Sequence, residues 1–247
     1  MEGTGTDIVV LAGGAGSRLG PDLGRVPKAL LPVAGKPFTV WQALEIARAY
    51  PAINRILYSV RAIQAPLFHD IFGRIPISAH TVSEESPRGT GGAILNVLAQ
   101  KGALRLSDPF LVINGDVLFP MAIDGLLSSA RRYGASMQGI WANDLSRFGA
   151  IASDGMRVTS FAGNQRGAGI MNAGLYAFTR QSLDAWPNRL CSFETDIAPK
   201  LAAAGQLGLI ETAGPFIDIG TPESYGRAGR FIEALQTQAK INITGAI

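Results

Sequence analysis

Short apolar runs alternate with helix-like segments through the first half of the chain, and this alternation restricts the available folds more than any other feature. The runs lie at 7–12, 55–60, 77–82 and 109–114, and the segments with helical spacing at 38–50, 65–72 and 90–100. Such alternation is typical of βαβ units, which build a parallel sheet covered by helices on both faces. We therefore predict an α/β fold with a mostly parallel sheet.

The second half of the chain has a more mixed pattern. Asp154-Gly155 separates two alternating runs, 150–153 and 156–161, and predicts a β-hairpin. The other predicted strands are 135–141, 170–178 and 216–219, and the predicted helices are 123–133, 181–186, 194–204 and 222–239. Because no linker or repeat interrupts the pattern, we expect one domain over residues 1–240, with halves at 1–120 and 121–240.

Composition restricts the partners. The 247 residues carry 22 basic and 19 acidic side chains, a net charge of +3, which predicts no nucleic-acid surface. One cysteine and two histidines are too few for a four-ligand zinc site. No apolar run reaches the roughly 18 residues of a membrane span, and residues 1–7 lack the basic start of a signal peptide. We expect a cytoplasmic protein without membrane contact, and the apolar residues 241–247 leave a homodimer open.

A glycine-rich stretch directly follows the first predicted strand. It reads Leu11-Ala12-Gly13-Gly14-Ala15-Gly16-Ser17-Arg18-Leu19-Gly20. A dinucleotide-binding G-x-G-x-x-G motif fails because Leu19 occupies the third glycine position, and a Walker loop fails because Pro37 follows Gly35-Lys36. The exposed amides of such a loop cradle phosphate oxygens, and Arg18 supplies a nearby cation.

Two blocks in register resemble the signature of the sugar-1-phosphate nucleotidyltransferases. They are Leu11-Ala12-Gly13-Gly14-x-Gly16-x-Arg18-Leu19-x-Pro21 and Pro27-Lys28-x-Leu30-x-Pro32-Val33-x-Gly35-Lys36-Pro37. The resemblance covers roughly residues 7–235 and implies the nucleotide-diphospho-sugar transferase fold, a Rossmann-like, GT-A-like mixed sheet flanked by helices. It also implies that the loop, with Leu11, Gly13, Gly14 and Gly16, wraps a nucleoside triphosphate. Arg18 and Lys28 would then be catalytic cations that neutralise the departing pyrophosphate.

A third segment is similar to the family's E-x-x-P-L-G-T-x-G-A loop, which meets the nucleobase. Here it reads Glu84-Glu85-Ser86-Pro87-Arg88-Gly89-Thr90-Gly91-Gly92-Ala93, with Arg88 in the place of leucine. The resemblance implies nucleotide contacts from Glu84, Gly89 and Thr90. Because guanine offers N1–H and N2–H₂ to one carboxylate, Glu84 favours GTP. The alternative is that Glu84 and Glu85 form a solvated loop pair. We also expect Thr90 to cap the following helix.

Two aspartates follow apolar runs, Asp116 in Asn114-Gly115-Asp116 and Asp218 in Phe216-Ile217-Asp218-Ile219-Gly220. Ligands of open α/β sheets bind at the carboxyl ends of parallel strands, and Mg²⁺ needs only one or two carboxylates besides phosphate oxygens and water. Both aspartates match metal ligands of the family, so the resemblance implies that they hold Mg²⁺ and that Asp116 is catalytic. Asx turns or helix caps are the alternative.

The sugar side rests on two further segments, Asn172-Ala173-Gly174-Leu175-Tyr176 and Ser192-Phe193-Glu194-Thr195-Asp196, which resemble the family's N-A-G-x-Y and F-E-x-D. Asn114, Asn172 and Glu194 are the implied sugar ligands. Family lysines near Gly163-Asn164 and at Thr195 are missing here. Arg147 or Arg166 would hold the sugar phosphate instead, unless both are ordinary surface arginines.

The implied reaction joins a nucleoside triphosphate and a sugar 1-phosphate into a nucleotide sugar and pyrophosphate, without a covalent enzyme intermediate. Within the family the sequence is most similar to the D-glycero-α-D-manno-heptose 1-phosphate guanylyltransferases, which implies GDP-heptose synthesis for capsule or surface polysaccharide. Mannose-1-phosphate guanylyltransferases and other sugar-1-phosphate uridylyl- or thymidylyltransferases stay open. So do a GT-A-like glycosyltransferase and a non-catalytic nucleotide-sugar sensor.

Overall fold

The computed structural model describes residues 5–14, 26–145, 149–164 and 166–244. Its strands are β1 (Thr6–Leu11), β2 (Pro32–Val33), β3 (Lys36–Pro37), β4 (Ile53–Arg61), β5 (Ser78–Glu84), β6 (Phe110–Asn114), β7 (Val117–Leu118), β8 (Ala135–Ala142), β9 (Gly149–Ser153), β10 (Val158–Asn164), β11 (Gly169–Phe178), β12 (Leu207–Thr212) and β13 (Ile217–Asp218). Its α-helices are α1 (Phe38–Ala49), α2 (Ala65–His69), α3 (Gly89–Leu98), α4 (Ile123–Tyr133), α5 (Ala198–Ala203) and α6 (Pro222–Thr244).

Nine of the described strands form one sheet with β1 near its middle. The order β5-β4-β1-β6 is parallel throughout, as βαβ crossovers require. β11 continues the sheet antiparallel to β6 and also pairs with β8 and β9, and β12 adds to β8 in parallel. The predicted α/β fold with a mixed, mostly parallel sheet is confirmed. So is the hairpin at Asp154-Gly155, which joins β9 to β10.

The sheet is buried on both faces, because the side chains of each strand alternate between two apolar clusters. In β1, Ile8 and Val10 pack with α1 and α4, whereas Val9 packs on the other face with α3 and α5. A third cluster joins α6 to β7, β13 and the segment around Leu31. This last cluster fixes the C-terminal helix against the loops that follow β6.

Several elements differ from the prediction. β12 was not predicted as a strand, and the predicted strand 216–219 is only the two residues of β13. The predicted helix 194–204 is a π-helical turn over Phe193–Ile197 followed by α5, and the predicted helix 181–186 is a 3-10 turn over Arg180–Leu183. The predicted helix 222–239 continues as α6 to Thr244. Among the described helices, none combines the length and apolar character that crossing a bilayer requires.

Candidate functional site

A cleft of about 390 Å³ opens at the carboxyl edge of the parallel strands. This is where open α/β sheets bind their ligands. It brings together nine of the residues predicted from the sequence to bind nucleotide, sugar or metal: Leu11, Gly13, Gly14, Lys28, Glu84, Gly89, Thr90, Asn114 and Asp116. Gly16 and Arg18 lie outside the described residues, so their predicted roles stay predictions.

The glycines of the cleft allow close approaches between its walls. A Cβ atom on Gly13 would lie 2.7 Å from Glu84 Oε1, whereas one on Gly14 would meet none of the described residues within 4 Å. A Cβ atom on Gly115 would lie 2.7 Å from the carbonyl oxygen of Leu11, to which the Gly115 N–H donates at 3.0 Å. The open backbone at Gly14 is what a loop that admits phosphate oxygens needs.

Lys28 and Asp116 form an ion pair inside the cleft. Lys28 Nζ donates to Asp116 Oδ2 at 2.7 Å, and the two side chains are 15% and 25% exposed. Lys28 begins a 3-10 turn directly after Pro27, and Asp116 follows β6 by two residues. A cation and a carboxylate that converge from segments 88 residues apart make a charged centre with open access for ligands.

The backbone of Asp218 lies beside that of Asp116 through the short ladder of β7 and β13. Asp218 pairs in register with Val117, and the N–H of Ile219 donates to the carbonyl oxygen of Asp116 at 2.9 Å. The ladder therefore makes the two predicted metal ligands backbone neighbours. In the described part of the chain no three His, Cys, Asp or Glu residues gather as a complete protein cage for a metal.

A buried glutamine that sequence reasoning missed supports Asp116 from behind. Gln42 is fully buried in α1, and its Nε2 donates to the carbonyl oxygens of Asn114 at 2.9 Å and Val117 at 2.8 Å. These carbonyls lie on either side of Gly115-Asp116. A polar residue within the apolar, inward-facing positions of α1 is the signal that could have pointed to it.

Glu84 ends β5 and crosses toward β1, and the structure contradicts the alternative of a solvated Glu84–Glu85 pair. Glu84 is 6% exposed and its Oε2 has no hydrogen-bond partner in the part of the chain that the structure describes, whereas Glu85 is exposed. Burial raises the pKa of Glu84, although the charge and backbone N–H of Arg88 and the charge of Arg61 oppose the shift. A buried acceptor without a partner is costly unless a ligand donates to it.

The predicted nucleotide and sugar sides meet at Thr90. Its hydroxyl donates to Glu194 Oε2 at 2.6 Å and accepts from the N–H of Phe193 at 2.9 Å. The prediction that Thr90 caps a helix is wrong, because α3 already begins at Gly89 and has no side-chain cap. The hydroxyl instead bonds the π-helical turn that carries Glu194, a partner 104 residues away in the sequence.

Asn172 joins the site through Gly174. Asn172 Oδ1 accepts from the N–H of Gly174 at 2.9 Å, and its Nδ2 donates to the Tyr176 hydroxyl at 2.7 Å. Gly174 has φ +78°, and a Cβ atom there would lie 2.6 Å from Asn114 Nδ2. Thus Asn172, Glu194 and Asp218 do not line the cleft themselves, but each is attached to a residue or loop that does. Arg166 is exposed, and Arg147 lies outside the described residues.

Gln42→Leu tests the support behind Asp116. The substitution leaves two carbonyl oxygens without their donor, so we expect the free energy of unfolding to fall by about 1–3 kcal/mol, measured by urea denaturation. Gln100→Leu is the matched control, because Gln100 Nε2 donates to the single, local carbonyl of Asn96. Equal losses in the two variants would contradict a special role for Gln42.

Glu84→Gln tests the effect of burying the Glu84 carboxylate. With its pKa raised above the ordinary 4.5, the folded chain holds the proton more tightly than the unfolded chain. The free energy of unfolding therefore falls as the pH rises from 4.5 through the raised pKa of Glu84. We expect Glu84→Gln to raise the free energy of unfolding of the ligand-free protein near neutral pH, with the difference vanishing below pH 4.5. The control Glu85→Gln should leave the free energy of unfolding unchanged both near neutral pH and below pH 4.5. A lower free energy of unfolding for Glu84→Gln at neutral pH would contradict a buried Glu84 carboxylate with a raised pKa.

Comparisons with known proteins agree with this geometry. A family model described as nucleotidyl transferase matches residues 7–234. Mannose-1-phosphate guanylyltransferase of Mycobacterium tuberculosis is 35% identical over 233 residues, covering 90% of this chain and 63% of that protein. Mannose-1-phosphate guanylyltransferase catalytic subunit beta of Xenopus tropicalis is 28% identical, covering 88% and 62%. The chain thus spans less than two thirds of the length of these two relatives.

Among solved structures, HddC from Yersinia pseudotuberculosis superposes with a TM-score of 0.77 and 27% identity, covering 91% of this chain and 98% of that chain. The same protein complexed with GMP-PN gives a TM-score of 0.76 and 29% identity, with the same coverage. Because the family model spans nearly all of the sequence, the chain belongs to the nucleotidyl transferase family.

Proposed function

We propose that this protein is a sugar-1-phosphate guanylyltransferase, which converts GTP and a sugar 1-phosphate into a GDP-sugar and pyrophosphate. The observation that carries the proposal is the Lys28–Asp116 pair, set in a cleft whose other end holds the buried Glu84 carboxylate, with Oε2 unpartnered among the described residues. One end offers charges suited to phosphate and metal, and the other an acceptor suited to base N–H groups. The guanylyltransferase names of the relatives and the GMP-PN complex of HddC support the same chemistry.

In this proposal the nucleotide lies along the carboxyl edge of the sheet. The backbone at Gly13 and Gly14 leaves room for the triphosphate, and Lys28 neutralises phosphate oxygens. Arg18, proposed from the sequence, adds a second cation. Glu84 accepts from N1–H and N2–H₂ of guanine. Holding both substrates in one geometry and neutralising developing charge supply most of the catalysis in phosphoryl-type transfers.

The sugar phosphate attacks the α-phosphorus of the nucleotide. A bond forms between a sugar phosphate oxygen and the α-phosphorus, the bond from that phosphorus to the β-bridging oxygen breaks, and pyrophosphate leaves with the electron pair. A phosphate monoester is largely ionised near pH 7, since its second pKa is about 6, so no general base is required. Asn114, Asn172 and Glu194 would bind the sugar hydroxyls, and exposed Arg166 is a candidate for its phosphate.

The aspartates Asp116 and Asp218 fit a magnesium ion. Oxygen ligands suit Mg²⁺, which is usually bound by one or two carboxylates together with substrate phosphates and water. The β7–β13 ladder makes these two residues backbone neighbours across the strands. When bound, the ion would neutralise phosphate charge. In the ligand-free protein the hydrogen bond from Lys28 Nζ orients the Asp116 carboxylate.

Two sugars have separate support. The D-glycero-α-D-manno-heptose 1-phosphate follows from the resemblance of the sequence motifs, and mannose 1-phosphate follows from the names of the relatives. The test is pyrophosphate release with each of the four common nucleoside triphosphates against a panel of sugar 1-phosphates that includes both, with Mg²⁺ present. We expect turnover selective for GTP. Nucleotide-sugar binding without pyrophosphate release from any pair would instead indicate a non-catalytic sensor.

Lys28→Ala and Asp116→Asn test the charged centre. Each removes a group that acts on phosphate or metal, so we expect turnover to fall by roughly 100-fold or more, with an unchanged circular dichroism spectrum. The matched control is Asp184→Asn, an exposed aspartate outside the cleft. An Asp116→Asn protein that keeps nearly wild-type turnover would contradict the metal assignment.

A further inference from the structure

Three charged side chains lie together at the end of the cleft that is proposed to bind the nucleobase. Arg61 ends β4 and pairs in register with Glu84, which ends β5, and Arg88 follows four residues later. All three line the cleft. The proposed function uses only the carboxylate of Glu84 and gives neither arginine a role.

Each of the three side chains keeps a buried polar atom that has no hydrogen-bond partner among the residues the structure describes. These atoms are Glu84 Oε2, Arg61 Nε and Arg88 Nε. Buried polar atoms are nearly always partnered in folded proteins, so three orphans in one cleft indicate a ligand with complementary groups. The ligand must donate to the carboxylate and accept from a guanidinium.

The two arginines differ in how they are held. Arg88 Nη1 donates to Asn188 Oδ1 at 3.1 Å, which ties its guanidinium to the segment beyond the 3-10 turn at Arg180–Leu183. Arg61 stands beside Glu84 across the parallel pair, within about 5 Å at the backbone. Arg61 is therefore the better placed donor next to the carboxylate.

A purely structural role as counterion of Glu84 does not account for Arg61. None of the ion pairs found among the described residues joins Glu84 to Arg61 or Arg88 within 4.0 Å. The raised pKa of Glu84 agrees, because a contact ion pair would lower it. The arginine and the carboxylate are near each other but form no contact ion pair, although the charge of Arg61 still opposes the rise in the pKa of Glu84.

Guanine has the complementary edge. It presents O6 as an acceptor beside N1–H and N2–H₂ as donors, whereas adenine presents a donor at N6 and an acceptor at N1. We propose that Arg61 donates to guanine O6 while Glu84 accepts from N1–H and N2–H₂, so that Arg61 is a specificity-determining residue. This inference rests on the proposed function, since it names how that site selects its base.

Arg61→Met tests the assignment, because it removes the guanidinium and keeps the apolar stem. Pyrophosphate release is measured with GTP, ATP and the triphosphate of 2-aminopurine riboside, which lacks O6. We expect kcat/KM for GTP to fall about 10- to 100-fold, the usual size of base discrimination by one good side-chain contact. ATP and the 2-aminopurine nucleotide should change less than threefold. Arg74→Met, an exposed arginine outside the cleft, is the matched control.

Arg61→Lys, which keeps a charged N–H donor, should retain more of the GTP preference, and it replaces Arg61→Met if that variant does not fold. Equal losses with all three nucleotides, or no loss with GTP, would overturn the assignment. The first pattern would indicate a phosphate or structural role.

Equilibrium binding of GTP and ATP, measured without a sugar phosphate, separates this inference from the proposed function. A wild-type protein that prefers GTP but releases no pyrophosphate contradicts the reaction. The loss of that preference in Arg61→Met would still support the role of Arg61. A wild-type protein that binds ATP as tightly as GTP overturns the assignment to Arg61.

Discussion

The parallel pairing of β1 with both β4 and β6 is the constraint on which the rest of the molecule depends. Because β1 is buried on both faces, its register fixes where helices can cover the sheet, and its carboxyl end defines the edge at which the chain turns back. The cleft is therefore lined by the glycines after β1, by Arg61 and Glu84 at the ends of β4 and β5, and by Asp116 after β6. The charged residues of the site thus lie at or just after the ends of strands whose positions the apolar clusters fix.

Local patterns in the sequence predicted the elements whose cause is local. Asp-Gly between alternating runs predicted the β9–β10 hairpin, and the βαβ alternation predicted the parallel pairing of β1, β4, β5 and β6 but not their order. β12 was not predicted because its buried leucines, Leu207 and Leu209, lie in a short run that also contains glycine and glutamate. It forms a strand by pairing in parallel with β8, a contact that its own sequence does not reveal. The helix predicted at 194–204 is divided because Thr90 and Ser192 bind the backbone and Glu194 side chain of its first turn.

The candidate site likewise contains residues that local motifs predict and residues that they do not. Residues within contiguous motifs, such as Lys28, Glu84 and Asp116, were predicted from the sequence and line one cleft. Gln42 was missed because the carbonyls that it binds are 72 and 75 residues away, so its polar side chain in α1 could mark the residue but not its partners. Arg61 was missed for a similar reason, since only the pairing of β4 with β5 sets it beside Glu84. The extent of the domain and the roles of Gly16 and Arg18 stay predictions.

The hydrogen bond between Thr90 and Glu194 has a consequence for how two ligands would sense each other. Thr90 lies in the first turn of α3, next to the loop that is proposed to bind the nucleobase. Glu194 lies in the π-helical turn that is proposed to bind the sugar. A ligand hydroxyl that competes for Glu194 Oε2 changes the partner of Thr90, and a ligand that shifts α3 changes the aim of Glu194. Any resulting coupling is reciprocal by thermodynamic necessity. Each ligand would then change the affinity for the other by the same factor, although the two bind on different segments of the chain.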